Sequence, residues 1–289
     1  MSTVPTLPMS NRVCLITGAT SGIGRATALA LAGQGAELVL LCRDRGKGEE
    51  TAAAARAAGA PAVDLLLADL GRQAEVRRAA AEFLASGRPL HVLINNAGVV
   101  NLQRTLTPDG IEATFAVNHL AYFLLTTLLL DRLRASAPAR IVNVASEAHK
   151  LGTLDLGDLQ NERRYKVMNV YGQSKLANIL FTAELARRLE GSGVTANSLH
   201  PGAVATGLGK NNGPWARRLI ALLRPFFRTP DGGAATSIYL ATSPAVDGVS
   251  GRYFANCREK RPAPVACDMG LAQRLWAISE EMTAAPRDH

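Results

Sequence analysis

The sequence is poor in cysteine, in aromatic residues and in long apolar runs, and each shortage removes a class of protein. Its four cysteines, Cys14, Cys42, Cys257 and Cys267, show no Cys-x-x-Cys spacing and no histidine pairing. That excludes a disulfide framework and a cysteine-based metal site, so the thiols read as reduced, as in a cytosolic setting. The five histidines also lack ligand spacing, and no metal is expected. Aromatic residues make up 5% of the chain and nothing interleaves them with the arginines. A net charge of +8 with a pI near 9.7 therefore does not read as a nucleic-acid footprint. Solvated helix faces account for the arginines, and their field would favour an anionic ligand. The most apolar run, Leu120 to Leu130, holds 11 residues, short of the ~20 that cross a bilayer. No basic stretch followed by an apolar one marks a signal peptide.

What is present describes a globular α/β protein. The chain has 289 residues with 47% hydrophobic content, enough for a large core, and no repeat or low-complexity linker divides it. Residues 1–10 contain two prolines and little periodicity and read as a loose tail, leaving 11–289 as one domain. Apolar runs predict strands near 12–17, 37–42, 62–68, 90–95, 139–146, 194–200 and 251–255. Helices fit between them, near 23–34, 45–58, 72–86, 108–134, 169–190, 231–242 and 270–283. Such alternation predicts a single doubly wound, Rossmann-type domain, with a parallel sheet of about seven strands and helices on both faces. Ligands of these sheets bind beyond the carboxyl ends of the strands.

The motifs fall at those ends. The first strand runs into Gly18-Ala-Thr-Ser21-Gly22-Ile23-Gly24 and then an Ala-rich helix. Such glycines let backbone amides approach a pyrophosphate at a helix N-terminus. The spacing is Gly-x-x-x-Gly-x-Gly rather than the dinucleotide fingerprint, so a plain tight turn is the rival reading. Further along, Ser146 ends a strand, and Tyr171 and Lys175 follow four residues apart. On a helix that spacing places phenol and ammonium on one face. A cation ~4 Å from the phenol, at an effective dielectric of about 20, would favour the phenolate by roughly 4 kcal/mol, about three pK units. Alone, Tyr-x-x-x-Lys is a frequent chance pair on helix surfaces; its weight comes from the company it keeps.

Thr17-Gly-Ala-Thr-Ser-Gly-Ile-Gly24, Asn95-Asn-Ala-Gly98, Ser146 and Tyr171-Gly-Gln-Ser-Lys175 together resemble the signature set of the short-chain dehydrogenase/reductase family. Cys42-Arg-Asp44, Phe115-Ala-Val-Asn-His-Leu120, Val144-Ala-Ser-Glu-Ala-His149 and Leu271-Ala-Gln-Arg-Leu-Trp276 resemble its retinol dehydrogenase-like branch. The resemblance implies a hydride transfer between a nicotinamide cofactor and an alcohol/carbonyl pair. It casts Tyr171 as proton donor, Ser146 as the hydroxyl that holds the substrate oxygen, and Lys175 as the cation that tunes the phenol and binds the ribose. It casts Asn118 as support for a proton-refilling water chain; a cap or kink inside a long helix is the rival role. Cofactor contacts carried over are Gly18, Ser21, Gly22, Ile23, Gly24, Asp69, Leu70, Asn96, Ala97, Gly98, Pro201, Gly202 and Thr206, beside Tyr171 and Lys175. Homodimers or tetramers are usual in the family, with the apolar helices near 108–134 and 169–190 as candidate interfaces. The membrane-anchored relatives carry an N-terminal hydrophobic segment that this chain lacks, so their location is not carried over; a cytoplasmic protein is expected from its reduced thiols.

Cofactor choice turns on the end of the second strand. A carboxylate there suits an unphosphorylated ribose, whereas Arg43 can grip a 2′-phosphate with two charge-assisted bonds. NADP is therefore expected in preference to NAD. Asp44 complicates the point, because it could neutralise Arg43 or bind a ribose itself. For the substrate, residues 207–229 read as a covering segment. Trp215, Leu219, Leu222, Leu223 and Phe226 can share one helical face there, suiting an apolar aldehyde or ketone. An ordinary core helix, or one resting on a membrane at 214–228, are alternatives. A steroid or small ketone as substrate, and a non-catalytic NADPH sensor, are the rival functions; the intact Ser146, Tyr171 and Lys175 argue against the sensor.

Overall fold

The computed structural model describes residues 7–202 and 229–285. In chain order the elements are β1 (Val13–Thr17), α1 (Gly22–Ala32), β2 (Glu37–Cys42), α2 (Arg45–Ala57), β3 (Val63–Leu67), α3 (Gln73–Ala85) and β4 (Val92–Asn95). There follow α4 (Ala113–Ala135), β5 (Ala139–Val144), α5 (Val167–Arg188), β6 (Val194–His200), α6 (Pro230–Thr242), β7 (Tyr253–Ala255), β8 (Arg258–Glu259) and α7 (Met269–Met282). The strands form one sheet in the order β3-β2-β1-β4-β5-β6-β7-β8. Every pair is parallel except β7–β8, which is antiparallel.

Why these segments become central strands is visible in their burial. Val13-Cys-Leu-Ile-Thr17 is buried throughout, as parallel strands covered on both faces must be. Alternate residues serve opposite layers. Val13 and Leu15 join a cluster with Phe83, Leu125 and Phe181 from α3, α4 and α5. Cys14 and Ile16 join one with Leu31, Ala52 and Leu240 from α1, α2 and α6. The expected doubly wound α/β domain is the observed one, with the short β8 as an eighth strand. Two exposed residues, Arg258 and Glu259, carry no periodicity from which β8 could be read.

Three local expectations shift. The tail is shorter than 1–10, because Met9 is buried in the α1-side core and its N–H donates to the Gln34 carbonyl at 3.0 Å. The fourth helix starts at Ala113 rather than near 108, since Gly110 at φ 74° turns the chain and Glu112 caps the first turn through Thr114 and Phe115 N–H. That helix also runs beyond the 11-residue apolar run. Ala113–Ala135 is long and apolar enough to cross a membrane by length and composition, yet much of it is buried in the core. α7 packs on part of it and of α5: the Trp276 ring centre lies 4.9 Å from that of Phe123 and stacks at 5.7 Å on Phe181.

Candidate active site

The order of strands reverses between β1 and β4, and the loops leaving these two strands part to opposite sides. A cleft opens at such a point. Here it measures about 490 Å³ and is lined by Gly18, Ser21, Gly22, Ile23 and Gly24 on one side and Asn96, Ala97 and Gly98 on the other. Arg43, Asp69, Leu70, Tyr171, Lys175 and Pro201 line it as well, whereas Ser146 and Asn118 do not. Gly202, at φ 88°, sits one residue beyond Pro201. Thr206 and the 207–228 segment, with Trp215 and its apolar face, lie outside the described residues.

The glycine turn has a physical reason at two positions. Gly18 adopts φ 67°, a left-handed conformation that side chains disfavour. A Cβ on Gly24 would sit 2.3 Å from the Gly18 carbonyl and 2.5 Å from Asn96 Nδ2, so the start of α1 presses directly on the strand ends. Ser21 precedes α1 without a side-chain cap, and no acidic residue stands in the first turn. The first amides of α1 therefore lack a capping side chain where the cleft begins, a setting suited to a pyrophosphate. The residues present fit a dinucleotide.

Across the cleft, Thr17 does work that the sequence did not reveal. Its Oγ1 accepts from Asn96 N–H at 2.9 Å and Ala97 N–H at 3.0 Å, while Asn96 Nδ2 donates to the Thr17 carbonyl at 2.8 Å. Both sides of the opening are thereby tied together. Tyr122 is a second residue missed: its hydroxyl donates to the Ala97 carbonyl at 2.7 Å, and Lys175 Nζ lies 5.7 Å from its ring centre. Thr17 heads the glycine motif in the sequence, but its bonds to the end of β4, and the place of Tyr122, arise only in the folded chain.

Ser146 stands two residues beyond β5 and caps the short helical turn Glu147–Leu151, accepting from Ala148 N–H at 3.2 Å. This turn crosses α5 at Gly172, where an added Cβ would meet the Ala148 carbonyl at 2.5 Å. The missing side chain lets Ser146 hydrogen-bond the Tyr171 phenol. His149 braces the same turn, its Nδ1 2.7 Å from the Ser146 carbonyl and its Nε2 3.0 Å from Ala263 N. Because the Ala263 N–H must donate, Nδ1 carries the ring proton. Burial alone would raise the Glu147 carboxyl, but hydrogen bonds from Lys150, Lys260 and Tyr253 hold it at about 2.

The electrostatics of the pair differ from the expected picture. Lys175 is buried, and its Nζ donates to the Val144 carbonyl at 2.9 Å while standing 5.7 Å from the Tyr171 ring centre. Burial lowers the ammonium to about 7. Burial likewise pushes the Tyr171 phenol up to about 12, against a lowering hydrogen bond from Ser146. Desolvation, rather than attraction between cation and phenolate, is the larger effect on both groups.

Asn118 stands at an irregular turn inside a long helix, the place its rival role as a kink residue names. It lies fully buried in the π-helical turn Ala116–Leu120 of α4 and does not line the cleft. Its Oδ1 accepts from Val99 N–H at 2.7 Å, and its Nδ2 reaches the Val99 carbonyl and Ser174 Oγ, each at 3.0 Å. Ser174 in turn donates to the Tyr171 carbonyl at 2.7 Å. Asn118 thus fastens the post-β4 segment to the helix of Tyr171. A larger cavity, about 1220 Å³, opens at the opposite end of the sheet among Arg12, His91, Arg140 and Arg187 and contains none of these groups.

A doubly wound sheet, a glycine cradle and a serine–tyrosine–lysine cluster define a nicotinamide-dependent oxidoreductase. The chain belongs to the short-chain dehydrogenase family, whose model matches residues 12–217. It is 50% identical to retinol dehydrogenase 14 of Mus musculus, covering 95% of this chain and 86% of that one. Retinol dehydrogenase 12 of Homo sapiens is 44% identical, covering 95% and 87%. Among solved structures, an uncharacterized protein from Mycobacterium paratuberculosis aligns with a TM-score of 0.78 at 36% identity, over 96% of this chain and 95% of that one. A Burkholderia cenocepacia short chain dehydrogenase in complex with NADP aligns with a TM-score of 0.69 at 26% identity, over 86% and 96%. The chain is a retinol dehydrogenase-like oxidoreductase acting on CH–OH groups with an NAD(P) cofactor. One expectation is corrected by these matches. The relatives are retinol dehydrogenases 11 to 14, and they do not support a cytoplasmic assignment.

Proposed function

We propose that this enzyme transfers hydride between NADP(H) and an apolar alcohol/carbonyl pair, with a retinoid-like aldehyde or ketone as the substrate class. The observation that carries the reading is that Tyr171 and Lys175 line the cleft that the glycine turn heads, with Ser146 hydrogen-bonded to the Tyr171 phenol. When bound, the nicotinamide supplies or accepts the hydride. Tyr171, a neutral phenol whose proton burial holds more tightly, donates it to the substrate oxygen in reduction and must lose it in oxidation. Ser146 donates a hydrogen bond to the same oxygen and steadies its developing charge. Lys175, held by the Val144 carbonyl, offers a hydrogen-bond donor toward the ribose and, below its lowered pKa of about 7, a cation near the phenol ring. Gly18, Gly22, Gly24 and the first amides of α1 would hold the pyrophosphate; Asp69, Leu70, Asn96, Ala97 and Gly98 the adenosine half; Pro201, Gly202 and Thr206 the nicotinamide.

NADP in preference to NAD rests on Arg43, which is exposed at the cleft and has no carboxylate partner among the described residues. The apolar substrate class rests on the retinol dehydrogenase relatives. Assembly as a homodimer or tetramer belongs to the same reading, through the family alone, and light scattering measures it. The central test is steady-state turnover of retinal, a steroid ketone and a short aliphatic ketone with each cofactor. Retinal reduction driven by NADPH supports the reading; turnover confined to the short ketone or to NADH defeats it.

A further inference from the structure

The second strand ends in Cys42-Arg43-Asp44, which places an acid beside the cation expected to hold a 2′-phosphate. A free carboxylate there would repel that phosphate and favour an unphosphorylated ribose. The structure gives Asp44 two other partners. Its Oδ1 accepts the backbone N–H of Lys47 at 3.1 Å, capping α2, and its Oδ2 accepts from Lys47 Nζ at 2.5 Å. Both oxygens are engaged by one residue, three positions later on the first turn of the helix. Arg43 has no part in this pairing and no carboxylate of its own among the described residues. Arg43, Asp44 and Lys47 all line the same cleft.

The turn is fixed rather than incidental. A Cβ on Gly48 would lie 2.8 Å from Cys42 Sγ, so the start of α2 packs tightly against the end of β2. Thr51 Oγ1 donates to the Lys47 carbonyl at 2.9 Å, and the buried Thr51 holds that turn from below. Lys47 is therefore anchored through its backbone, with only its ammonium free to choose a partner.

We propose that Lys47 acts as a specificity residue by masking Asp44, so that the rim of the ribose pocket presents a net cation despite its acid. The inference rests on the NADP reading of the same site. Asp44 supplies geometry as a helix cap, Lys47 cancels its charge, and Arg43 is left to meet the phosphate. The motif Arg-Asp-x-x-Lys then does what an uncharged residue in place of the acid would do, while retaining the cap. Discrimination between cofactors by charge masking is a matter of removed repulsion as much as added attraction.

The test is direct binding, by quenching of protein fluorescence with NADPH and with NADH, on wild type, Lys47→Met, Asp44→Asn and the double variant. Asparagine still caps a helix, and melting temperatures check that all four fold. Lys47→Met should raise the NADPH Kd by about tenfold, as expected of an unmasked like charge, and leave or lower the NADH Kd. The double variant should return NADPH binding close to wild type, because no acid remains to mask. A double variant as weak as Lys47→Met would overturn the proposal, showing Lys47 to be a direct ligand. An NADPH Kd unchanged in Lys47→Met would overturn it as well. Wild type that binds NADH more tightly than NADPH would instead defeat the NADP reading, a separate and recognisable result.

Discussion

Tyr171 and Lys175 share a helix face, yet burial drives them in opposite directions: the phenol to about 12, the amine to about 7. Two predictions follow from this at the level of single residues. Tyr171→Phe removes the proton donor while keeping the ring, so turnover should fall about 10²- to 10⁴-fold, the usual range for a lost general acid. Cofactor Kd should stay near wild type; an active Phe variant would remove Tyr171 from the chemistry. The second concerns stability and pH. Lys175 unfolds from about 7 to its ordinary 10.5, so between those values the unfolded chain binds the extra proton. Stability must then rise with pH across that window. Urea midpoints at pH 7 and pH 9.5 should climb in wild type more than in Lys175→Met; equal slopes would mean that the lysine is not desolvated. The pair itself was legible in the sequence from its spacing. Its electrostatic balance was not, because desolvation depends on what α4 and β5 pile around it.

At the scale of elements, the strands were readable because parallel strands covered on both faces become unbroken apolar runs. Glu37–Cys42 and Val194–His200 fall where those runs predict them. Boundaries set by caps and turns were harder: the start of α4 depends on the Glu112 carboxylate, and the two exposed residues of β8 carry no pattern. Contacts made by an absent side chain were hardest of all. Gly172 stands inside the Tyr-x-x-x-Lys motif, but its reason lies in the turn that crosses it. A Cβ there meets the Ala148 carbonyl at 2.5 Å and Gly152 N at 2.6 Å, both backbone atoms that cannot swing aside. Gly172→Ala should cost about 1–3 kcal/mol, the range for overpacking a close contact, and lower kcat by displacing Ser146 from the phenol. Denaturant midpoints and turnover measure the two effects. An alanine variant with unchanged midpoint and kcat would show that the turn does not depend on this crossing.

Across the whole molecule, the end of the chain closes the core over the site's own helices. Trp276 of α7 meets Phe123 of α4 and Phe181 of α5, and Arg188 covers its ring at 4.1 Å. The same helix reaches inward through Ser279, whose Oγ lies 2.9 Å from His119 Nε2. His119, fully buried and held by that burial at about 4, stays neutral and sits 3.4 Å from Asn178 Oδ1. Asn178 Nδ2 donates to the Val144 carbonyl, which also accepts from Lys175. A contiguous set of bonds thus joins the last helix to the buried lysine. Trp276→Ala should cost about 3–5 kcal/mol, as for other buried aromatics, and expose the apolar faces of α4 and α5. Ser279→Ala tests the inner link separately, since it leaves the aromatic packing in place. If α7 bears on the lysine through His119, Ser279→Ala should shift the pH profile of turnover at saturating substrate while the denaturant midpoint moves little. If α7 is only a cover, the profile should stay fixed in Ser279→Ala, and Trp276→Ala should lose stability with kcat per folded molecule unchanged.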